Sequence, residues 1–387
     1  MTKTDVVVIG GGIIGCSIAY NLSKKGKKVI LIDRKGIGEE TSSACDGGVN
    51  LQTKAPGISL KLARRSLQLY EGLAKELDYD IHFEKQGGLV LVDNAELLKL
   101  TEQNVKHQLE GGVDVTLVSG DEARRMEPCL SREVIAASYC PDDSRVSPIR
   151  TTIAYATAAV RNGAELRLNT PVTGILQEKG CVVGVKTLKE DIYADQVVVA
   201  CGVFSPEIGK MVGINVPIKP RKGQLVVTEQ TAPCIKHNLM CARYIALKHD
   251  PSLATTSSDP FYRKGVNLFL EQTVDGNILI GSNREWAGFD KHTSYEILAA
   301  ICEYSTHFVP FLKDLNIIRT FAGLRPYCEG GPILGPVDGL DGLVMACGHE
   351  GDGIAMAPVT GEIISDFVIN GVVTEGIGAY LFSRFSK

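Results

Sequence analysis

Asp5 to Ile9 reads Asp-Val-Val-Val-Ile, and glycines at Gly10, Gly12 and Gly15 follow without a break. A β-branched run of this kind suits a strand buried on both faces. The G-x-G-x-x-G spacing then assigns a task to each glycine. Gly10 permits a tight turn, Gly12 lets backbone approach a pyrophosphate, and Gly15 lets a helix pack closely on the strand. Ile13 and Ile14 open that helix, whose unpaired N–H groups would face the phosphates. Ile18, Ala19 and Leu22 continue its apolar side, and Lys24, Lys25 and Gly26 close it. Val29 to Ile32 forms the next strand and runs into Asp33 and Arg34. An acid about twenty residues beyond the first glycine is placed to accept from ribose hydroxyls, and it would repel a 2′-phosphate. Strand, turn, helix, strand and acid in this order predict a dinucleotide site on a parallel sheet, and so an α/β fold.

The same stretch is uncharged from Val6 to Leu22 and by hydropathy alone would suit a signal segment or a short span. Four glycines inside it, and Lys24, Lys25, Lys27 and Lys28 where a cleavage site would fall, favour a buried strand-turn-helix. We expect no transmembrane segment and a cytoplasmic protein. A chain of 387 residues exceeds what one core usually serves, so two domains are expected. The net charge of -4 supplies no basic field for nucleic acid. Eleven cysteines lie scattered without a C-x-x-C pair. That pattern fits neither a disulfide framework nor zinc or iron–sulfur ligation, and no metal is expected.

The fingerprint alone serves NAD and FAD equally, and the next segment separates them. Gly36 to Gly48 reads Gly-Ile-Gly-Glu-Glu-Thr-Ser-Ser-Ala-Cys-Asp-Gly-Gly, where an NAD domain would continue into another strand. Thr41, Ser42 and Ser43 offer hydroxyls to a turn and to phosphate or ribityl oxygens. A helix is predicted beyond them, from Ile58 to Leu77.

From here the chain resembles the D-amino-acid oxidase superfamily of flavoproteins along nearly its whole length. Val172 to Ile175 is similar to the family's strand whose backbone meets the adenine. Ala194 to Ser205 resembles its A-D-x-V-V-x-A-x-G-x-W-S motif, with Ala200 and Gly202 in place and Phe204 where the family has tryptophan. Gly323-Leu324-Arg325-Pro326 with Pro332 to Gly335 resembles its G-x-R-P…P-x-x-G element. Gly348 to Pro358 resembles the closing segment beside the flavin ring. The branch resembled is that of glycine oxidase, sarcosine oxidase and the proline or hydroxyproline dehydrogenases. Gly276 to Glu285, with Gly288-Phe289-Asp290, is similar to catalytic subunits of heteromeric amine dehydrogenases.

The resemblance implies an α/β FAD-binding, Rossmann-like domain interleaved with a second, α+β substrate domain on an antiparallel sheet. Residues 1–85, 145–220 and 322–387 would build the first, and 86–144 and 221–321 the second. It implies FAD as cofactor, held by Gly10, Gly12, Ile13, Ile14, Gly15, Asp33, Arg34, Thr41, Ser42, Ser43, Gly47, Gly48, Val172, Ala200, Gly202, Gly351, Asp352, Gly353 and Ile354. The implied reaction is hydride loss from the carbon bearing an amine, in a glycine, sarcosine, proline, hydroxyproline or D-amino acid class of substrate. Arg325 would hold the substrate carboxylate, since a guanidinium fork meets a carboxylate bidentately. His349 and Glu350 are further candidates, His349 more simply as a histidine bonded to backbone beside the flavin than as a base. No G-x-S-x-G or H-E-x-x-H is present. The tyrosine that D-amino-acid oxidases place over the substrate has two candidates, Tyr244 and Tyr262.

No cysteine stands just before Arg325, and Cys328 lies beyond it, so non-covalent FAD is expected. Only one fingerprint is present, so electrons would pass to oxygen or to a partner. The sub-branch favours partner subunits carrying iron–sulfur and another nucleotide. The alternative activity is an FAD-dependent dehydrogenase of a hydroxy compound such as glycerol 3-phosphate or 2-hydroxyglutarate.

Overall fold

The computed structural model describes residues 2–250 and 252–385. Its first sheet is built on the predicted strand, Thr2–Ile9, which lies in parallel between Val29–Ile32 and Asp191–Val199. Glu165–Arg167 extends the parallel sheet on one side and Leu343–Cys347 on the other. Ile333–Pro336 adds an antiparallel edge, and the hairpin Val172–Glu178 and Cys181–Thr187 pairs off Asp191–Val199. Val6, Val7, Val8 and Ile9 are all buried, because helices cover one face and the hairpin side covers the other.

The first helix, Ile13–Lys24, packs against Pro148–Arg161 and against the last long helix, Gly353–Asn370. The Ser17 hydroxyl donates to the Ala357 carbonyl across the latter contact, 2.8 Å away. Pro358 lies in the second turn of the last helix and forgoes the bond to the Ile354 carbonyl, which accepts instead from the Tyr70 hydroxyl at 2.6 Å. Ile58–Leu77 forms the expected helix after the hydroxyl-rich turn.

The second sheet has eight strands among the described residues. In spatial order they are Ile317–Cys328, Ile218–Gln230, Asn277–Gly281, Phe269–Gln272, Asn238–Cys241, Gly88–Val92, Ala136–Cys140 and Thr116–Ser119. Neighbours run antiparallel except at one point: Asn238–Cys241 lies parallel to Gly88–Val92. The sheet is therefore mixed rather than purely antiparallel. Two chain excursions meet there, one leaving the part built on the parallel sheet at Gly88 and the other after the strand Ile218–Gln230. Alternation decides what each strand shows to either side. Leu268 and Leu270 join Val226, Ile278 and Ile280 under the helix Tyr295–Phe308, while Phe269 and Glu271 face the other way.

Ile317–Cys328, which the boundary expected at 322 would divide, is one continuous strand paired with Ile218–Gln230 along its length. Arg325 thus projects from the second sheet, not from the parallel one. A buried polar network ties the two parts together. Asp143 accepts from the Leu51 N–H at 2.6 Å and from the Gln52 amide at 2.7 Å, and Gln52 in turn accepts from Ser138. Burial pushes the Asp143 carboxyl up to about 6 despite those donors.

Candidate active site

An elongated cleft of ≈ 320 Å³ runs from Asp33 and Val172 to Arg325 and Gly353. At its first end the backbone does the shaping. Gly10 has φ +116°, and a Cβ there would lie 2.5 Å from the Ala200 carbonyl oxygen. A Cβ on Gly15 would collide with the Gly10 carbonyl. Asp33 is fixed by two backbone donors, the N–H groups of Gly11 and Lys35, each at 2.7 Å. The helix begins at Ile13 with Gly12 as its N-cap, so no side chain of its own caps it. The Ser42 hydroxyl does so instead, accepting from the Ile13 N–H at 3.0 Å. A helix start lined by Gly12 and a hydroxyl suits a pyrophosphate.

Arg34 lies over the Phe204 ring, 3.6 Å from its centroid, and Phe204 stacks in turn on Phe289. That stack closes the cleft beside Thr170, Pro171 and Val172. The 41–43 turn is anchored to the second sheet, since the Thr41 hydroxyl donates to the Leu324 carbonyl at 2.7 Å.

The second end is made of side chains. Gly223 and Gly323 are cross-strand partners, and each leaves room for a neighbour. A Cβ on Gly323 would strike the Ala44 carbonyl, and one on Gly223 would strike the Arg325 guanidinium. Arg325 therefore lies flat across Gly223. It donates to the Ser282 hydroxyl at 2.8 Å and to the Asn283 carbonyl at 3.1 Å. Two of its five N–H donors are used in holding it, and the rest are left for a ligand. Asp46 lines the cleft nearby; burial pushes its carboxyl up, and Arg325 and Arg284 work against that rise. Behind it, Glu271 accepts from the Gly47 N–H at 3.1 Å, and burial together with Asp46 raises its carboxyl to about 8.

Of the residues expected at a cofactor site, Gly10, Gly12, Ile13, Ile14, Asp33, Arg34, Thr41, Ser42, Val172, Ala200, Gly202, Gly351, Gly353 and Ile354 line this cleft, as do Arg325, His349 and Glu350. Gly15, Ser43, Gly47, Gly48 and Asp352 do not. Gly15 serves helix packing, and Ser43 donates back to Glu40. Gly47 makes room for the Val146 carbonyl and Gly48 for Phe269. Asp352 pairs with the buried Lys54 at 2.7 Å. His349 is buried, with Nε2 3.1 Å from the Thr360 hydroxyl, so its partner is a side chain. Burial pulls it down to about 4, and it is neutral at pH 7.

Tyr244 lies under the Arg284 guanidinium at this end, whereas Tyr262 packs under Arg243 elsewhere. Sequence reasoning assigned no role to Asp46, Arg221, Glu271 or Arg284. Asp46 stood in the hydroxyl-rich run, and Arg284 in the stretch Gly276 to Glu285. Neither has a local pattern that announces a site.

Cys45, Cys201 and Cys347 also line the cleft, and burial raises each thiol, Cys347 to about 12. Cys328 is buried outside it and accepts from Arg384. Among the described residues, no three His, Cys, Asp or Glu side chains converge as a metal-ligand set, and no helix is long and apolar enough to cross a membrane.

A strand-turn-helix nucleotide cradle on a parallel sheet, opening toward an arginine on a second sheet, defines a flavin-dependent oxidoreductase. The family model described as FAD dependent oxidoreductase (DAO) matches residues 5–367, and the chain belongs to that family. It is 30% identical over 429 residues to the hydrogen cyanide synthase subunit HcnC of Pseudomonas aeruginosa, covering 100% of this chain and 97% of that protein. It is 29% identical over 379 residues to glycine oxidase of Bacillus subtilis, covering 96% of this chain and 94% of that one. Among solved structures, the L-proline dehydrogenase from P. horikoshii superposes with a TM-score of 0.88 at 31% identity, covering 99% and 98% of the two chains. The D-amino-acid-oxidase resemblance holds, and with it an FAD-dependent oxidoreductase.

Proposed function

We propose that the enzyme oxidises the carbon–nitrogen bond of a small α-amino acid or secondary amine, with Arg325 holding the substrate carboxylate. The observation that carries this reading is the placement of Arg325. It lies flat over Gly223 and inside the cleft, held by Ser282 and Asn283, between the Ala44–Asp46 segment and the Gly348–Gly353 turn. Bound FAD would supply the hydride acceptor. The chain would orient the substrate: a bidentate contact at Arg325 fixes the carboxylate plane and so the direction of the Cα–H bond. Asp46 offers a carboxylate on the same wall for the amine. His349 is neutral and engaged by Thr360, which supports a positioning part for it rather than proton transfer. Gly351, Gly353 and Ile354 place the start of the last helix against the cleft, where its dipole would favour negative charge on the reduced ring. Cleft thiols held protonated are poor nucleophiles, which supports non-covalent FAD. Eleven free cysteines support a reducing compartment, the cytoplasm.

The relative from P. aeruginosa is by its name a subunit. That supports a partner protein, bearing iron–sulfur or a further nucleotide, as electron acceptor. Oxygen uptake slower than reduction of an artificial dye is the expected result.

The deciding experiment is anaerobic titration of the flavoprotein with glycine, sarcosine, L- and D-proline, hydroxyproline, glycerol 3-phosphate and 2-hydroxyglutarate. Bleaching of the flavin by an amino or imino acid is expected. Bleaching by the hydroxy compounds alone would replace this reading with the alternative.

A further inference from the structure

Arg325 lines the cleft, and two further guanidiniums lie close to it outside the lining. Arg221 is its direct cross-strand partner, so both side chains leave the same face of the sheet. Like charges set opposite each other in a sheet destabilise it unless an anion lies between them. Arg284 joins them from the adjacent segment, where Glu285 bridges to Lys222. Arg221 and Arg284 are each 7% exposed, a degree of burial that charged side chains accept only when partnered. Arg221 is bracketed by the rings of Trp286 and Tyr327, with centroids 5.3 and 5.4 Å away. Arg284 sits over Tyr244 at 4.6 Å, and its Nε and Nη1 have no hydrogen-bond partner among the described residues.

Among the described residues, one carboxylate reaches both. Glu350 Oε1 lies 3.8 Å from Arg221 and 3.9 Å from Arg284, within ion-pair range but beyond hydrogen-bond length. Glu350 holds this place with φ 51°, a left-handed conformation that a non-glycine residue adopts at a cost. It also lines the cleft.

The formal charges of the groups around this end balance: Arg221, Arg284, Arg325, Lys54 and Lys222 stand against Glu350, Asp46, Asp352, Glu285 and Asp290. The mismatch is one of geometry. The carboxylate that Arg221 and Arg284 share stands 3.8 and 3.9 Å away, while Arg284 keeps two buried donors aimed past it. A ligand carboxylate within hydrogen-bond length would meet donors that Glu350 does not reach.

We propose that this end of the cleft is built for an α-amino acid carrying two carboxylates, one on Arg325 and the second on Arg284 and Arg221 in the place Glu350 now holds. A secondary amine flanked by two carboxymethyl groups has the required form. The proposal rests on Arg325 as the site of the first carboxylate, as in the function proposed above.

The test separates binding from oxidation. Diglycolate and methoxyacetate are ethers that differ by one carboxylate and have no amine to oxidise; their affinities are read from perturbation of the flavin absorbance of the holoenzyme. Diglycolate is expected to bind roughly ten- to a hundredfold tighter, the range of one charge-assisted contact. Arg284→Met, and separately Arg221→Met, should bring that ratio toward one. Arg325→Met should weaken both ligands. Glu350→Gln should tighten diglycolate by removing the competing anion. Equal affinities in the unaltered enzyme would overturn the proposal whether or not the variants fold, and so would a ratio that both arginine variants leave intact.

The matched amines, iminodiacetate and sarcosine, are then titrated anaerobically. If sarcosine bleaches the flavin and iminodiacetate has no advantage, the two-carboxylate proposal falls and amine oxidation stands. If diglycolate outbinds methoxyacetate and no amine bleaches the flavin, the arginine cluster stands and the amine reading falls.

Discussion

At the Gly10–Asp33 end of the cleft the groups that face a ligand are mostly backbone, whereas at the Arg325 end they are side chains from several separate stretches of chain. The first end needs short loops and missing side chains: Gly12, an N-terminal turn of helix, and an aspartate pinned by two N–H groups. The second needs Arg325, Arg221, Arg284, Asp46, Glu271 and Glu350 to converge from the second sheet, the 44–48 segment and the 348–353 turn. A site of backbone tolerates little change at its glycines and is nearly indifferent to pH. A site of buried charges can be retuned one residue at a time, and its stability depends on protonation.

The largest effect should come from the backbone end. Gly15→Val drives a side chain into the Gly10 carbonyl where neither helix nor strand can retreat, and the purified protein should carry no flavin absorbance. A yellow, FAD-replete Gly15→Val protein would erase the contrast between the two ends.

Arg325→Met should leave FAD bound, because Arg325 belongs to the other sheet, while kcat/KM for carboxylate substrates falls roughly 10²–10³-fold, about 3–4 kcal/mol. Steady-state kinetics beside the flavin spectrum distinguishes this loss from loss of cofactor. Equal loss of flavin and activity would show the two ends to be one unit.

Glu271 supplies the pH test. Its carboxyl is raised from 4.5 to about 8 in the folded protein, so between those values the native state keeps a proton that the unfolded chain releases. Stability from this group is present below about 4.5 and is lost as pH rises toward 8, by a total of a few kcal/mol. Glu271→Gln should flatten that part of the curve of unfolding midpoint against pH. A slope that survives the substitution would assign the dependence to another group.

The smallest effect is expected at the hydroxyl that caps the first helix from outside it. Ser42→Ala removes the acceptor for the Ile13 N–H and should cost about 1 kcal/mol of stability, read by denaturant unfolding of the apoprotein. No change would mean that the helix start is satisfied without Ser42.

The two ends also differ in how far they can be read from the chain. The glycines, Asp33 and the hydroxyl turn follow one another within fifty residues, and their spacing is itself the geometry. The strand Val29–Ile32 and the helix Ile58–Leu77 are equally legible, since period and turn residues are local. The parallel pair in the second sheet was not legible, because nothing in Asn238–Cys241 says which strand will lie beside it. Arg325 was visible through the motif around it. Arg221 and Arg284 were not, because no spacing rule marks two arginines that meet only through sheet register.

The sequence by itself determined that this chain folds around a nucleotide cradle, and its family resemblance implied FAD as the nucleotide. The cradle is written in contiguous residues whose conformations are set by sterics and by a helix start. Only the tertiary structure decided that Arg325 stands on the second sheet and lies across Gly223. It alone gathered two further arginines and a left-handed Glu350 beside Arg325, and set a protonatable Glu271 behind Asp46. Cross-strand register and burial create those relations, and both arise only when distant segments pack.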